Sequence, residues 1–170
     1  MNAEQLRKAL RASQYAEQVL GMHGALIEQD YAADQFLAPL SAEQIQAYVE
    51  NTLDQIQDEA AWMRAMRILR ARLMFRWIWL DANQLTDVVA LTRELSDFAD
   101  AAICAAKAFA YPPLAAKHGE PVGYNGQKQD LIVIAMGKLG AQELNLSSDI
   151  DLIFAFDEQG ESNGRKCIDV

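Results

Sequence analysis

Apolar and polar residues alternate at helical spacing through the first two thirds of the chain. Ala, Gln, Glu, Leu, Arg and Met dominate residues 1–110, and Pro39 is the only proline within that stretch. Because most of these residue types are good helix formers, long helices are expected. The pattern predicts five helices, near residues 3–20, 24–37, 42–56, 58–80 and 84–110.

Three local signals set the expected ends of these helices. Ser41 and Gln44 have the spacing of a capping box, which predicts a helix start near residue 42. The polar side chains of Asp81-Ala82-Asn83 compete for backbone hydrogen bonds and predict a break there. The segment Tyr111-Pro112-Pro113 is expected to stop the last helix, because proline lacks the amide donor of a helix interior.

Residues 61–80 differ from the rest of the helical stretch, since they carry five arginines, all three tryptophans and no acid. Arg64 and Arg67 point away from an apolar face at 100° per residue. That face holds Trp62, Met66, Leu69, Leu73, Trp77 and Leu80. After residue 72 the opposite face also becomes apolar, so the second half of the helix is expected to be buried from several sides, with the tryptophans in the core.

Arg76 lies close to the apolar face and therefore needs an ionic partner, because an unpaired buried cation costs several kcal/mol. The expected partner is an acid of the following helix, namely Asp87, Glu94 or Asp97. The alternative concerns the exposed arginines of the same helix. In that interpretation a phosphate or an acidic partner surface meets Arg64, Arg67 or Arg70.

The pattern changes after the last predicted helix. Residues 115–130 are polar and contain three glycines, as expected of a connecting loop. They predict a boundary between a helical domain, residues 1–125, and the beginning of a second domain, residues 126–170. Residues 131–136 form a continuous run of mostly branched apolar side chains, which predicts a strand buried on both faces.

A glycine turn and a pair of acids follow this strand. After Gly137-Lys138-Leu139-Gly140 the sequence predicts a short helix to Leu146 and a second strand over residues 149–156. Residues two apart in a strand project to the same face, which predicts neighbouring carboxylates at Asp149 and Asp151. Carboxylate oxygens suit Mg²⁺ or Mn²⁺, and the glycines leave room for backbone amides to approach a phosphate.

Composition and charge narrow the class of protein. The chain has 170 residues, is 51% apolar and carries a formal net charge of −9, which argues against a nucleic acid partner. No apolar run approaches the roughly 18 residues of a membrane span, and the first residues lack a signal-peptide core. The cysteines, Cys104 and Cys167, lack the spacing of a zinc or redox motif, so a cytoplasmic location is expected.

Residues 136–154, MGKLGAQELNLSSDIDLIF, resemble the signature of the bifunctional glutamine synthetase adenylyltransferase and adenylyl-removing enzyme family. The helix over Arg64 to Trp79 resembles the arginine-rich helix of the same family. The resemblance implies a mainly α fold, in which a helical bundle precedes an α/β nucleotidyltransferase domain of the DNA polymerase β type.

The resemblance also implies an activity and its partners. The N-terminal copy of this domain would remove AMP from a tyrosine of adenylylated glutamine synthetase by phosphorolysis, releasing ADP. Glutamine synthetase, the PII signalling protein, ADP or ATP, and phosphate are the implied partners, with Mg²⁺ or Mn²⁺ as cofactor. Asp149 and Asp151 would act as catalytic metal ligands, and the phosphate side would be formed by Gly137, Lys138, Gly140, Ser147 and Ser148.

One element of the family pattern is missing. A nucleotidyltransferase needs a third carboxylate from a later strand, and neither Asp157 nor Asp169 is assigned that role. The chain is therefore expected to be a truncated domain without activity of its own. The alternative is a noncatalytic helical interaction module in which the Asp-x-Asp pair is structural.

Overall fold

The computed structural model describes residues 2–33, 39–162 and 165–166, the last two by their backbone alone. Its helices are α1 (Ala3–Ala12), α2 (Gln14–Ala32), α3 (Ala42–Leu53), α4 (Glu59–Ala82), α5 (Val88–His118) and α6 (Gly137–Gly140). Its strands are β1 (Pro121–Gly123), β2 (Ile132–Ala135), β3 (Leu152–Ala155), β4 (Gly160–Ser162) and β5 (Arg165–Lys166). The described chain is mainly helical with small antiparallel sheets toward its end, which confirms the predicted fold class.

Side-chain caps fix the ends of α3 and α4 where the sequence predicts them. The Ser41 amide donates to Gln44 Oε1 (2.8 Å), and the Gln44 amide donates to Ser41 Oγ (3.3 Å). This capping box begins α3. At the other boundary α4 ends at Ala82, and Asn83 Nδ2 donates to the Trp79 carbonyl (2.8 Å).

The first two helices are divided differently from the prediction. The predicted continuous helix over 3–20 was wrong, because Ser13 has an extended backbone and separates α1 from α2. Its hydroxyl oxygen accepts from the Ala16 amide (3.3 Å), so a local side-chain cap outweighs the helical pattern. The gap expected after residue 20 is a kink at His23 within α2. Residues 34–37, the end of the second predicted helix, lie outside the described residues.

The prediction that Tyr111-Pro112-Pro113 ends the last helix was wrong, because α5 continues to His118. Each proline removes one amide donor, and since the two are adjacent the loss is confined to one turn. Contacts outside the helix hold its end. The Tyr111 hydroxyl donates to Glu120, and the Ser162 hydroxyl donates to the His118 carbonyl.

Helix α4 lies between two apolar clusters, and residues 73–80 are all buried, as predicted. The first cluster, here the α3–α5 cluster, has at its centre Ile45, Val49, Leu69, Leu95 and Trp77. The second, the α1–α2 cluster, has at its centre Ala9, Val19, Ile27, Phe75 and Trp79. Trp77 and Trp79 are therefore core residues, and the half-buried Trp62 stacks on Phe109 with ring centroids 4.9 Å apart.

A buried ion pair joins α4 to α5. Arg76 Nη1 lies 2.5 Å from Glu94 Oε2, and the two side chains are 2% and 4% exposed. Glu94 is one of the three predicted partners, so that prediction is confirmed. The carboxylate also accepts from Trp77 Nε1 (2.9 Å) and the Leu40 amide (3.2 Å), which offset the cost of its burial.

A second ionic network, which the sequence did not predict, joins α2, α3 and α4. Arg72 Nε donates to Asp30 Oδ2 (2.8 Å), and the Tyr48 hydroxyl donates to Asp30 Oδ1 (2.8 Å). Burial raises the pKa of the Tyr48 phenol, and its hydrogen bond to Asp30 raises the pKa further. The phenol therefore stays protonated and serves as a donor.

Strands β2 and β3 form an antiparallel pair in which Ile132 faces Ala155 and Ala135 faces Leu152. Two strands at these positions were predicted. The prediction that the first is buried on both faces was wrong, because Ile132 is 39% and Ile134 is 44% exposed. A single antiparallel pair that lies against other elements on one side leaves its other face open.

The remaining strands were not predicted. β1 falls within residues 115–130, where a connecting loop was predicted, and it pairs with β4, which lies after residue 156. β4 also pairs with β5. Val122 faces Glu161 in this register, and the short polar strands lack the apolar alternation that reveals a strand in sequence. The division at residue 125 stays a prediction. Within the described residues, no helix is long and apolar enough to cross a membrane.

Candidate functional site

The signature residues form a turn that connects β2 to β3, and two glycines are required in it. Gly137 follows Met136, the first residue after β2, and its φ of +56° lies in the left-handed region that favours glycine. A Cβ atom at Gly140 would lie 2.5 Å from the Ala135 carbonyl oxygen. Any side chain at residue 140 would therefore push the turn away from the end of β2.

Two leucines anchor this turn on the helices. Leu139 is 1% and Leu144 is 6% exposed, and both belong to the α3–α5 cluster. The Leu144 amide donates to Ser96 Oγ of α5 (3.2 Å). The predicted helix to Leu146 is shorter than expected, because Gln142 takes a left-handed conformation (φ 58°) and ends the helical turn.

Asn145 holds the side chains of the two serines in place, a role that was not predicted from the sequence. Its Oδ1 accepts from the Ser147 amide (3.1 Å), the Ser147 hydroxyl (3.2 Å) and the Ser148 hydroxyl (2.8 Å). Asparagine often forms such turns through hydrogen bonds to residues ahead in the chain. The short polar run Asn-x-Ser-Ser before a strand is the sequence pattern that could have predicted this role.

The predicted phosphate-side residues lie together around this turn. Lys138 is exposed, and its Nζ donates to Ser148 Oγ (3.4 Å) across a separation of ten residues. Ser147 is exposed and adjoins that contact, while Gly137 and Gly140 set the backbone on either side of Lys138. The turn thus brings one ammonium group and two hydroxyl groups to the same place.

Asp149 and Asp151 lie in the segment that leads into β3. The prediction that the second strand begins at residue 149 was wrong, because β3 begins at Leu152. The Met136 amide nevertheless donates to the Asp151 carbonyl (2.9 Å), which ties this segment to the end of β2. The two acids therefore directly follow the turn formed by Asn145, Ser147 and Ser148, here the serine turn.

The carboxylates of Asp149 and Asp151 are available as ligands. Both residues are exposed, and within the described part of the chain neither side chain takes part in an ion pair or hydrogen bond. Mg²⁺ is commonly held by one or two carboxylates together with water and substrate phosphates, so this donor set fits the ion. Residues 2–33 and 39–162 contain no group of three or more metal-ligating side chains.

Comparison with known proteins identifies the family. The family model described as glutamate-ammonia ligase adenylyltransferase matches residues 3–170. The chain belongs to this family. A relative from Acinetobacter baylyi is 77% identical over the whole chain, which covers 18% of that relative.

Two further relatives support the assignment. A protein from Pseudomonas putida is 35% identical over 98% of the chain and 17% of its own length. One from Hahella chejuensis is 46% identical over 76% of the chain and 12% of its own length. All three are named bifunctional glutamine synthetase adenylyltransferase/adenylyl-removing enzyme. The resemblance found in residues 136–154 is thus confirmed, and the chain spans at most 18% of the length of these family members.

Proposed function

We propose that this family member carries part of the adenylyl-removing half of a bifunctional enzyme that regulates nitrogen assimilation. Its substrate is adenylylated glutamine synthetase, from which it removes AMP by phosphorolysis with ADP as product. One observation carries the proposal. Lys138 contacts Ser148, Asn145 holds both serines, and the unpaired carboxylates of Asp149 and Asp151 come next along a chain whose relatives are named for adenylyl transfer and removal.

In this proposal, some of the signature residues bind the metal ion and the others bind phosphate oxygens. Asp149 and Asp151 hold the divalent ion, which supplies charge neutralisation at the phosphate oxygens when it is bound. Lys138 binds a phosphate oxygen through its ammonium group, and the hydroxyl groups of Ser147 and Ser148 donate to others. Gly137 and Gly140 keep the backbone clear of the same oxygens.

Phosphorolysis requires only two reactants, inorganic phosphate and the adenylylated tyrosine. An oxygen of inorganic phosphate attacks the phosphorus of the tyrosine-bound AMP, and the bond between that phosphorus and the tyrosine oxygen breaks. The tyrosine oxygen takes the proton of the attacking phosphate, and AMP leaves joined to that phosphate as ADP. Lys138 offsets negative charge on the incoming phosphate, and Asn145 keeps Ser147 and Ser148 in place for it.

The carboxylates provide the decisive test in the full-length enzyme. Asp149→Asn and Asp151→Asn are each expected to abolish deadenylylation, because loss of a charged ligand weakens metal binding without emptying the core. Adenylylation is expected to remain largely intact, since the family resemblance implies that a second, distant copy of the domain adds AMP from ATP. Asp157→Asn, an exposed acid outside the turn, is the matched control and should retain both activities.

The other outcomes have distinct meanings. Equal loss of both activities would indicate a folding defect and contradict the assignment of the site. Full deadenylylation in both variants would favour the noncatalytic helical interaction module. Release of AMP rather than ADP would replace phosphorolysis with hydrolysis.

We also propose that the 170-residue chain alone binds Mn²⁺ weakly and lacks deadenylylation activity. Metal ions must be placed against both the attacking phosphate and the AMP linkage, and two neighbouring carboxylates provide only part of that geometry. A displacement of about 1 Å costs about a hundredfold in rate. Turnover by the chain alone that Asp149→Asn abolishes would contradict this.

The proposed function also includes the PII signalling protein as the regulatory partner, because the family resemblance implies it.

A further inference from the structure

A groove of about 370 Å³ runs beside the candidate site. Helix α4 forms the floor of the groove and provides two residues of its rim. The junction of α1 and α2 forms one wall, and the serine turn forms the other. Leu146 and Ser147 therefore belong both to the groove and to the signature. The remaining lining residues are Ala12, Ser13, Tyr15, Arg70, Met74, Ile78 and Asp81.

The α4 residues of the groove form one stripe. At 100° per residue, positions 70, 74, 78 and 81 fall within about 80° of one another on the helix surface. Arg70 and Asp81 are at the two ends, about 16 Å apart at 1.5 Å per residue. Met74 and Ile78 lie between them and are only 7% and 8% exposed.

The charges at the two ends of the groove are unpaired within the described chain. Arg70 and Asp81 are exposed, and neither forms an ion pair there. The interior arginines of the same helix differ, since Arg72 binds Asp30 and Arg76 binds Glu94. The groove thus has a free cation at one end, a free carboxylate at the other and an apolar floor.

This charge arrangement selects the kind of ligand. A nucleotide or an inorganic phosphate can place an anionic group at Arg70, but neither carries a cationic group that could pair with Asp81. A peptide segment with an acid, then apolar residues, then a base about three helical turns further on complements the whole stripe. The exposed Tyr15 (38%) on the rim adds an amphipathic contact of the kind enriched in protein interfaces.

We propose that this groove, here the Arg70–Asp81 groove, docks a segment of the protein substrate, glutamine synthetase, with an acid at its Arg70 end and a base at its Asp81 end. The inference rests on the proposed function for the identity of that protein. Because Ser147 lines the groove and adjoins Ser148 and Asp149, docking holds the substrate beside the residues proposed to act on its AMP group.

Charge reversal in the full-length enzyme tests the groove. With adenylylated glutamine synthetase as the substrate, Arg70→Glu and Asp81→Lys are each expected to raise KM about tenfold, with the effect on KM rather than kcat. Arg67→Glu is the matched control, because it reverses an exposed arginine of the same helix that does not line the groove. Added salt should raise the wild-type KM and affect the two groove variants less.

Several results would overturn the proposal. These are an unchanged KM in both groove variants, an equal rise in Arg67→Glu, or a loss of kcat alone. A wild-type dimer that either groove variant abolishes in sedimentation would assign the groove to a second copy of the chain. If Arg70→Glu fails to fold by circular dichroism, Arg70→Gln replaces it, with a smaller rise in KM expected.

Failure of the proposed function gives a different result from failure of the groove. If the wild-type enzyme does not deadenylylate glutamine synthetase, the reaction assignment fails. The affinity for glutamine synthetase is then measured directly by biolayer interferometry. A Kd raised about tenfold in Arg70→Glu but not in Arg67→Glu would support the groove, and equal Kd values would reject it.

Discussion

The helical region and the β2–β3 pair bury their apolar residues to very different extents. Helix α4 has an apolar cluster on each side, and its two interior arginines are paired with acids. In the strands, Ile134, Ile153 and Phe154 remain 44%, 48% and 62% exposed. The region with the smaller core nevertheless carries the candidate catalytic residues.

The difference shows where the site obtains its rigidity. A two-stranded sheet is marginally stable by itself. The signature turn avoids this weakness because Leu139 and Leu144 are buried in the α3–α5 cluster rather than in the sheet. The helices therefore hold the signature turn, and the two strands mainly set the direction in which the chain enters and leaves it.

The largest expected effect comes from breaking the interior ion pair. Arg76→Ala leaves the Glu94 carboxylate buried without its cation and should reduce the free energy of unfolding by about 3–5 kcal/mol. Urea denaturation measures the change. Arg64→Ala, at an exposed position of the same helix, should stay within about 0.5 kcal/mol. Similar values for the two variants would remove the contrast between interior and surface.

A second substitution tests the anchoring of the turn. Leu139→Ala should destabilise the protein by about 2–5 kcal/mol, because it opens a cavity in the α3–α5 cluster. Leu131→Ala removes the same atoms from a side chain that is 45% exposed beside β2 and should cost about 1 kcal/mol or less. If both changes cost the same in urea denaturation, the turn is not held by the helices.

Two glycines should respond with opposite signs. Gly140→Ala places a Cβ atom 2.5 Å from the Ala135 carbonyl oxygen and should destabilise by about 1–3 kcal/mol. Gly21→Ala adds a methyl group where no atom lies within 4 Å, on an exposed turn of α2, and should stabilise by about 0.5–1 kcal/mol. Thermal denaturation distinguishes the two, and a shared sign would contradict the close approach at Gly140.

The smallest effect on stability is expected on the open face of the strands. Phe154→Lys should change the free energy of unfolding by about 0.5 kcal/mol or less, because the side chain is mostly exposed already. Because the two-stranded sheet of β2 and β3 has open edges, the chain is expected to self-associate through them, and a charge on the exposed strand should lower that self-association. Sedimentation velocity checks the second expectation, and Tyr124→Lys, at an exposed residue away from β2 and β3, is the control.

Sequence reasoning succeeded where a feature depends on neighbouring residues. The capping box at Ser41, the end of α4 near Asn83 and the two strands around the signature all follow from local patterns. An acid of α5 was predicted to pair with Arg76 because a buried charge needs a partner, and Glu94 is one of the three acids that were named. The mainly helical fold followed from the helix pattern, whereas the family followed from the resemblance of residues 136–154 to its signature.

The cap at Ser13 and the conformation of Gln142 are local causes of error, whereas other errors came from contacts between distant residues. No local signal shows that the Tyr111 and Ser162 side chains hold the end of α5 beyond its prolines. The Arg72–Asp30 pair spans 42 positions and leaves no mark in the helix pattern. In the site, the identities of the signature residues were predictable. The role of Asn145 has a local signal in the Asn-x-Ser-Ser run, whereas the groove required the folded chain.

The hydrogen bond from the Leu144 amide to Ser96 has a consequence for amide exchange. Backbone amides exchange with solvent when the structure around them opens, at rates set by the local free energy of opening. The Leu144 proton is held by α5, so it is released when the α3–α5 cluster opens and not when β2 and β3 separate. Its protection should therefore match that of the helical interior, although the residue belongs to the signature turn between β2 and β3.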